Sequence, residues 1–126
     1  TVGIYTAPAA TTTVVIGITM ANTSGSGVNV GVTTVGIYTA PASTTTVVIG
    51  ITLANTSGAG VNVGVGITRA GATEDVKLLK NAPIPQGSSL EFMAGNKVVL
   101  EETDTVTVDS DTNNSIDASL TIMEIT

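Results

Sequence analysis

Apolar and polar residues alternate along most of the chain. From Thr13 onward, Val14, Ile16, Ile18 and Met20 point one way, and Thr13, Val15, Gly17, Thr19 and Ala21 point the other. A period of two marks a half-buried β-strand. The NTSGSG segment at 22–27 reads as a turn, after which Val28, Val30 and Val32 resume the alternation. The same hairpin pattern recurs as a strand at 47–54, a turn at 55–60 and a strand at 61–67. Before each hairpin, a VGIYTAP strand ends at Pro8 or Pro41, which cannot donate to a central ladder. Downstream, 75–80 predicts a strand with Val76 and Leu78 inward, and 81–86 (NAPIPQ), with two prolines, an extended edge or crossing segment. Segments 89–93 and 97–101 flank a turn at 94–96 and predict a hairpin. Segment 105–109 turns Val106 and Val108 inward, and 115–125 sets Ile116, Ala118, Leu120 and Ile122 on one face. Gly and β-branched residues are too frequent for a helix anywhere.

The two hairpins belong to a duplication. Residues 2–32 and 35–65 are offset by 33 and differ only at Ala10/Ser43, Met20/Leu53 and Ser26/Ala59. One copy plus the remainder, residues 34–126, has the size and strand spacing of a sandwich of roughly 100 residues. The expected fold is therefore all-β: an immunoglobulin-like or jelly-roll-like antiparallel β-sandwich over 34–126, with 1–33 as an extra N-terminal strand-plus-hairpin. That extra copy is an assembly arm or a set of added edge strands. The expected core comprises Val47, Ile49, Ile51, Leu53, Val61, Val63, Val65, Val76, Leu78, Leu90, Phe92, Val98, Leu100, Val106, Val108, Ile116, Leu120 and Ile122. Both copies carry the same inward set, but copy two runs directly into the next strand. Copy one is left with Val14, Ile16, Ile18, Met20, Val28, Val30 and Val32 uncovered, and these are the candidate assembly residues, donated between subunits.

Charge sharpens this picture. The chain has 126 residues with 4 basic and 10 acidic side chains, net −6, and all of them lie between Arg69 and Glu124. Residues 1–68 carry no charge, which suits a surface covered by other copies or other proteins. The TTTVVIGIT runs are uncharged, rich in β-formers and free of Pro, an association signature at a sheet edge. Four basic residues cannot track phosphates, so nucleic acid is not an expected partner. No apolar run approaches the about 20 residues of a membrane span, and no basic segment precedes an apolar one at the start, so neither a membrane anchor nor a signal peptide is expected.

Candidate chemistry is sparse. There is no Cys, His or Trp, which removes the usual nucleophile–base pairs and most zinc sites. The paired carboxylates Glu74–Asp75 and Glu101–Glu102 are sequence neighbours on strands and face opposite sides. Gly25 and Gly58 lie in turns without a following helix, the wrong setting for a nucleotide. The sequons at Asn22, Asn55 and Asn113 matter only in a chain secreted by a eukaryote. One acidic loop places Asp109, Asp111, Asn113 and Asp117 at positions 1, 3, 5 and 9 of a calcium-loop pattern. Asn114 stands where that pattern needs Gly, and Leu120 where it needs Glu. The sequence thus makes the loop a weak calcium candidate at most, and the favoured reading is a polar turn. No catalytic residue, cofactor or required metal is expected.

The run LKNAPIPQGSSLEFMAGNKVVLEETDTVTV at 79–108 resembles a segment of small structural proteins of tailed bacteriophages. The shared pattern is NAPIP-x-GSSL at 81–90, G-x-K-x-V-L at 95–100, D-x-V-x-V at 104–108, and a last strand ending near Glu124–Ile125. The YTAPA strand and the TTTVVIGI-x-LANTS hairpin are similar too. The resemblance covers about 93 residues and leaves out the extra first copy. It implies a β-sandwich accessory of the head, neck or tail, working by assembly, with other virion proteins and further copies of itself as partners and the virion as its location. The alternative is an extracellular self-assembling β-filament or surface-layer subunit. Both readings make the chain a non-enzyme with no small-molecule substrate. A carbohydrate-binding fibre module would need aromatic platforms, for which Tyr5, Tyr38 and Phe92 are too few.

Overall fold

A computed structural model describes residues 18–20, 34–72 and 75–126 of the chain. The described residues form nine strands and no helix: β1 (Ile18–Met20), β2 (Val35–Thr39), β3 (Thr45–Asn55), β4 (Val61–Thr68), β5 (Asp75–Ile84), β6 (Ser89–Glu91), β7 (Val98–Leu100), β8 (Thr105–Ser110) and β9 (Ile116–Ile125). They build two antiparallel sheets. The first, sheet A, runs β1-β9-β3-β6, with β7 also on β3; the second, sheet B, runs β2-β8-β4-β5. One core joins their inner faces, with Val48, Ile51, Leu53, Leu100, Leu120 and Ile122 from sheet A meeting Val61, Val63, Val65, Ile67, Val106 and Val108 from sheet B.

The segment expected to be the second hairpin is instead an arch. β3 lies in sheet A and β4 in sheet B, so the turn between them crosses from one sheet to the other. Buried Asn55 holds the crossing: its amide donates to the carbonyls of Ala59 (2.7 Å), Ile84 (3.0 Å) and Pro85 (3.2 Å), and its Oδ1 accepts the Ser57 N–H (2.9 Å). A hairpin would leave these groups to solvent, and a buried arch needs them paired. The β8–β9 connection at 111–115 is a second crossing, from sheet B back to sheet A. There Ser110 and Ser115 share a hydroxyl hydrogen bond (2.8 Å), and Asn114 takes a positive φ.

The alternation of β3 changes phase midway. Between Val48↔Ile122 and Gly50↔Thr121 the register to β9 shifts, leaving Ile49 as the extra residue of a β-bulge. Before the bulge Thr46 and Val48 face the core; after it Ile51, Leu53 and Asn55 do. The expected inward pair Val47 and Ile49 is therefore corrected: Val47 is half-buried and Ile49 is 36 % exposed. The bulge also changes the other edge of β3. β6 and β7 were expected to pair with each other as a hairpin. They run in one direction instead, end to end along β3, with β7 on Thr46–Val48 and β6 on Thr52–Ala54. The interruption at 92–97 falls opposite the bulge, where the ladder of β3 is broken.

β5 runs straight through the NAPI segment to Ile84 as the edge strand of sheet B, absorbing two register shifts against β4. Asn81 takes φ 52° within it, and the edge position tolerates Pro83, which has no N–H to offer. The shifts disturb the phase, so Leu78 and Leu79 are both half-buried, while Val76, expected in the core, is 55 % exposed near the strand's end. Leu90, Phe92 and Val98 pack on the core from partly buried positions, and Ala40, Ile67, Ile84 and Met93 join it.

Candidate functional site

The outer faces of the two sheets have opposite chemistry. On sheet B, Val63, Val65 and Ile67 of β4 turn inward, which leaves Gly64 and Gly66 facing out as a trough. Side chains from both neighbouring strands fill it. A Cβ on Gly64 would sit 1.9 Å from Asp109 Oδ1, and one on Gly66 3.1 Å from Thr107 Oγ1 and 3.3 Å from Asp75 Cβ. Asp75 accepts hydrogen bonds from the hydroxyls of Thr68 and Thr107. Lys77 Nζ lies 3.5 Å from Asp75 Oδ2 and 3.7 Å from Asp109 Oδ2. These partners, the Thr68 hydroxyl first, hold the Asp75 carboxyl below its ordinary range although burial pushes the other way. At the far end of the trough Asp111 accepts the Asn62 N–H (3.0 Å) and side-chain amide (2.7 Å), which lower its pKa in that order.

Sheet A presents an apolar row instead. Val99, Val47 and Met123 are direct cross-strand partners on β7, β3 and β9. Their neighbours Leu100, Val48 and Ile122 are buried, so the alternation turns the row outward. Val99 is 53 % exposed; Ile125 (42 %) and the bulge residue Ile49 continue the patch. The sequence pattern alone missed this row, because unbroken alternation assigns Val47 and Ile49 to the core. Val47 and Val48 being both apolar is the one signal that a phase change was possible there.

A polar clasp joins the two sheets at one end of the core. The Tyr38 hydroxyl of β2 donates to Glu124 Oε1 of β9 (2.6 Å) and lies 2.9 Å from Thr46 Oγ1 of β3. Burial, and then the Glu124 carboxylate, push the phenol well above its ordinary pKa.

The four residues of the acidic loop do not converge through any shared partner. Asp109 leans over Gly64 toward Lys77, Asp111 binds Asn62, Asn113 is exposed in the turn, and Asp117 is exposed on β9 opposite Ala54. Among the described residues no group of three or more acidic, His or Cys side chains is placed to hold a metal ion. Asp109 Oδ1 is buried without a hydrogen-bond partner, and the carboxylate's other oxygen has the lysine.

Of the candidate assembly residues, Ile18 and Met20 fall in β1; Val14, Ile16, Val28, Val30 and Val32 lie outside the described residues. β1 pairs with β9 in its own chain as Ile18↔Leu120, Thr19↔Ser119 and Met20↔Ala118. β3 pairs with the opposite edge of β9 as Ile51↔Leu120, Thr52↔Ser119 and Leu53↔Ala118. The two copies of one strand thus flank β9 in one register, displaced by the 33-residue repeat. Within a strand successive N–H and C=O pairs point to alternate edges, so a single β9 can offer the same residues to both.

The 81–108 motif proves architectural in its contacts. Ile84 and Leu100 are core residues, Gly87 and Gly95 take positive φ in turns, and the Ser88 N–H closes the first turn on Pro85 O (3.1 Å). Buried Asp104 accepts the Glu101 N–H (3.1 Å) and lies 3.6 Å from Arg69. No protein-family model matches the chain, and neither a curated protein nor a solved structure does.

Proposed function

We propose that this chain is a non-enzymatic structural protein of a phage virion, decorating or joining capsid, neck or tail components through β-sheet-mediated assembly. The observation that carries the assembly part is the outer face of sheet A: an outward apolar row, exposed at Val99 and half-buried at Val47 and Met123, flanked by exposed Ile49 and Ile125, on a chain whose first 68 residues carry no charge. A face of that kind on a soluble particle marks contact with another protein. The virion part rests on the likeness of 79–108 to phage structural proteins, and the immunoglobulin-like or jelly-roll-like kinship of the sandwich belongs to the same reading. The uncharged edge strand β1 favours one alternative, an extracellular β-filament or surface-layer subunit. Immunogold electron microscopy of native material tests both. Label on the head, neck or tail of a particle supports the virion reading, and label on isolated filaments or on a cell surface replaces it with the alternative.

A further inference from the structure

The apolar row on sheet A has opposite charges on its two sides. Val99 is the middle residue of β7. Lys97 stands two residues before it and Glu101 two residues after it, both exposed. Arg69 reaches Glu101 at 3.7 Å, but the Glu101 side chain stays 78 % exposed and open to a second cation. On the other two strands of the row the flanking positions are uncharged: Thr45 and Ile49 on β3, Thr121 and Ile125 on β9. Glu91 and Asp117 lie farther along, opposite Thr52 and Ala54.

This arrangement is complementary to itself in one orientation. Val99, Val47 and Met123 are cross-strand partners, so the row runs across the strands. A two-fold axis laid along the row, between two stacked A sheets, sets each strand over the same strand of the other copy, reversed in direction. β7 then lies over β7, and Lys97 of each copy comes beside Glu101 of the other. An axis along the strands would set β7 over β9 and leave both charges over the uncharged Thr121 and Ile125. With the axis along the row, the Glu91 and Asp117 ends point to opposite sides and fall outside the overlap. A chain of net −6 thus meets a second copy there with opposite charges rather than like ones. We infer that the row on β7, β3 and β9 is a self-association face: two copies stack their A sheets about a two-fold along Val99–Val47–Met123, with reciprocal Lys97–Glu101 pairs at its rim. The inference rests on the assembly reading above and deepens it by naming a first partner, a second copy of this chain. The overlap covers only the Thr45 end of the sheet, so the dimer is weak, with a dissociation constant on the order of 10–100 µM.

Sedimentation of the full chain over a concentration series tests the inference. The wild-type chain dimerises in that range, and Val99→Lys stays monomeric. Lys97→Glu and Glu101→Lys, each alone, weaken the dimer roughly tenfold, because the two-fold turns both rim pairs repulsive. The far-UV spectrum and melting curve stay those of wild type. The double variant regains the dimer, and so does an equimolar mixture of the two single variants, which a merely structural role for either side chain would not produce. Lys80→Glu on β5 makes the same change of net charge and leaves the dimer intact. A wild-type chain that stays monomeric well above that range overturns the inference. So does a Val99→Lys variant that associates like wild type, a single reversal no weaker than Lys80→Glu, or a mixture that fails to reassociate. All of these are read on purified protein, so the inference can fail while the immunogold result still decides the assembly reading.

Discussion

The outer faces of sheets A and B come from one strand pattern and end in opposite surfaces. On sheet B the outward positions of β4 are glycines, and polar side chains from β5 and β8 lie across them to form the Asp75–Thr107–Lys77–Asp109 network. At one end of sheet A the outward positions are Val99, Val47 and Met123, with no charged side chain within that row, while Glu91 and Asp117 lie toward the other end. The first face pairs its polar groups with one another, Asp109 Oδ1 excepted, and is suited to water. The second leaves apolar area open, which stabilises nothing until a partner covers it. The difference follows from two local choices: glycine on β4, and a bulge on β3 that swings Ile49 out.

The largest effect comes from testing that bulge. Val48→Asp or Ile51→Asp puts an unpaired carboxylate in the core and should abolish the folded state, a loss of about 4 kcal/mol or more. Ile49→Asp, one residue away, should stay folded, within about 1 kcal/mol of wild type in urea denaturation. Had the alternation run unbroken, Ile49→Asp would be the lethal change. Next in size, Gly64→Ala drives a methyl group into Asp109 Oδ1 and should cost about 1–3 kcal/mol. Gly50→Ala, where an added Cβ meets nothing within 4 Å, is the small-effect control.

The pH profile is a third lever on the polar face. Asp75 titrates below its unfolded value of 3.8, so its contribution is complete above about pH 4 and is lost as pH falls through the folded pKa. Asp75→Asn should cost about 1–2 kcal/mol at neutral pH and flatten the acid limb of the stability curve. Tyr38 shifts upward from 10.0. Its contribution is whole below pH 10 and is lost as pH rises through the folded pKa, so Tyr38→Phe should flatten the alkaline limb at a cost of about 1 kcal/mol. The smallest expected effect on stability belongs to the apolar row: Val99→Lys should change it by no more than about 0.5 kcal/mol while reducing association.

Much of this was legible in the alternation. It set Val61, Val63, Val65, Val106, Val108, Ile116, Leu120 and Ile122 in the core, where the structure has them. It failed where the chain leaves strict period two. A bulge adds a residue without any composition signal, so Val47 and Ile49 were assigned to the wrong side. Turn residues mark where a chain bends but not whether it returns to the same sheet, so arches at 56–60 and 111–115 looked like hairpins. The polar network was invisible for a related reason. Asp75, Asp109 and Lys77 meet only because β4 brings β5 and β8 to either side of two glycines, and that adjacency is a property of sheet order.

The central claim is that sheet A faces a partner and sheet B faces water. Val99 and Val76 are a pair for testing it, the same residue type at 53 % and 55 % exposure, Val99 on the outer face of sheet A and Val76 at the open end of β5 on the rim of sheet B, in a chain with no cysteine of its own. Val99→Cys and Val76→Cys can each be labelled with a maleimide in dilute monomer and again in the assembled state. The account predicts equal rates in the monomer and, on assembly, protection of Val99→Cys while Val76→Cys stays open. Equal labelling of both in the assembly, or protection of Val76→Cys alone, would contradict it.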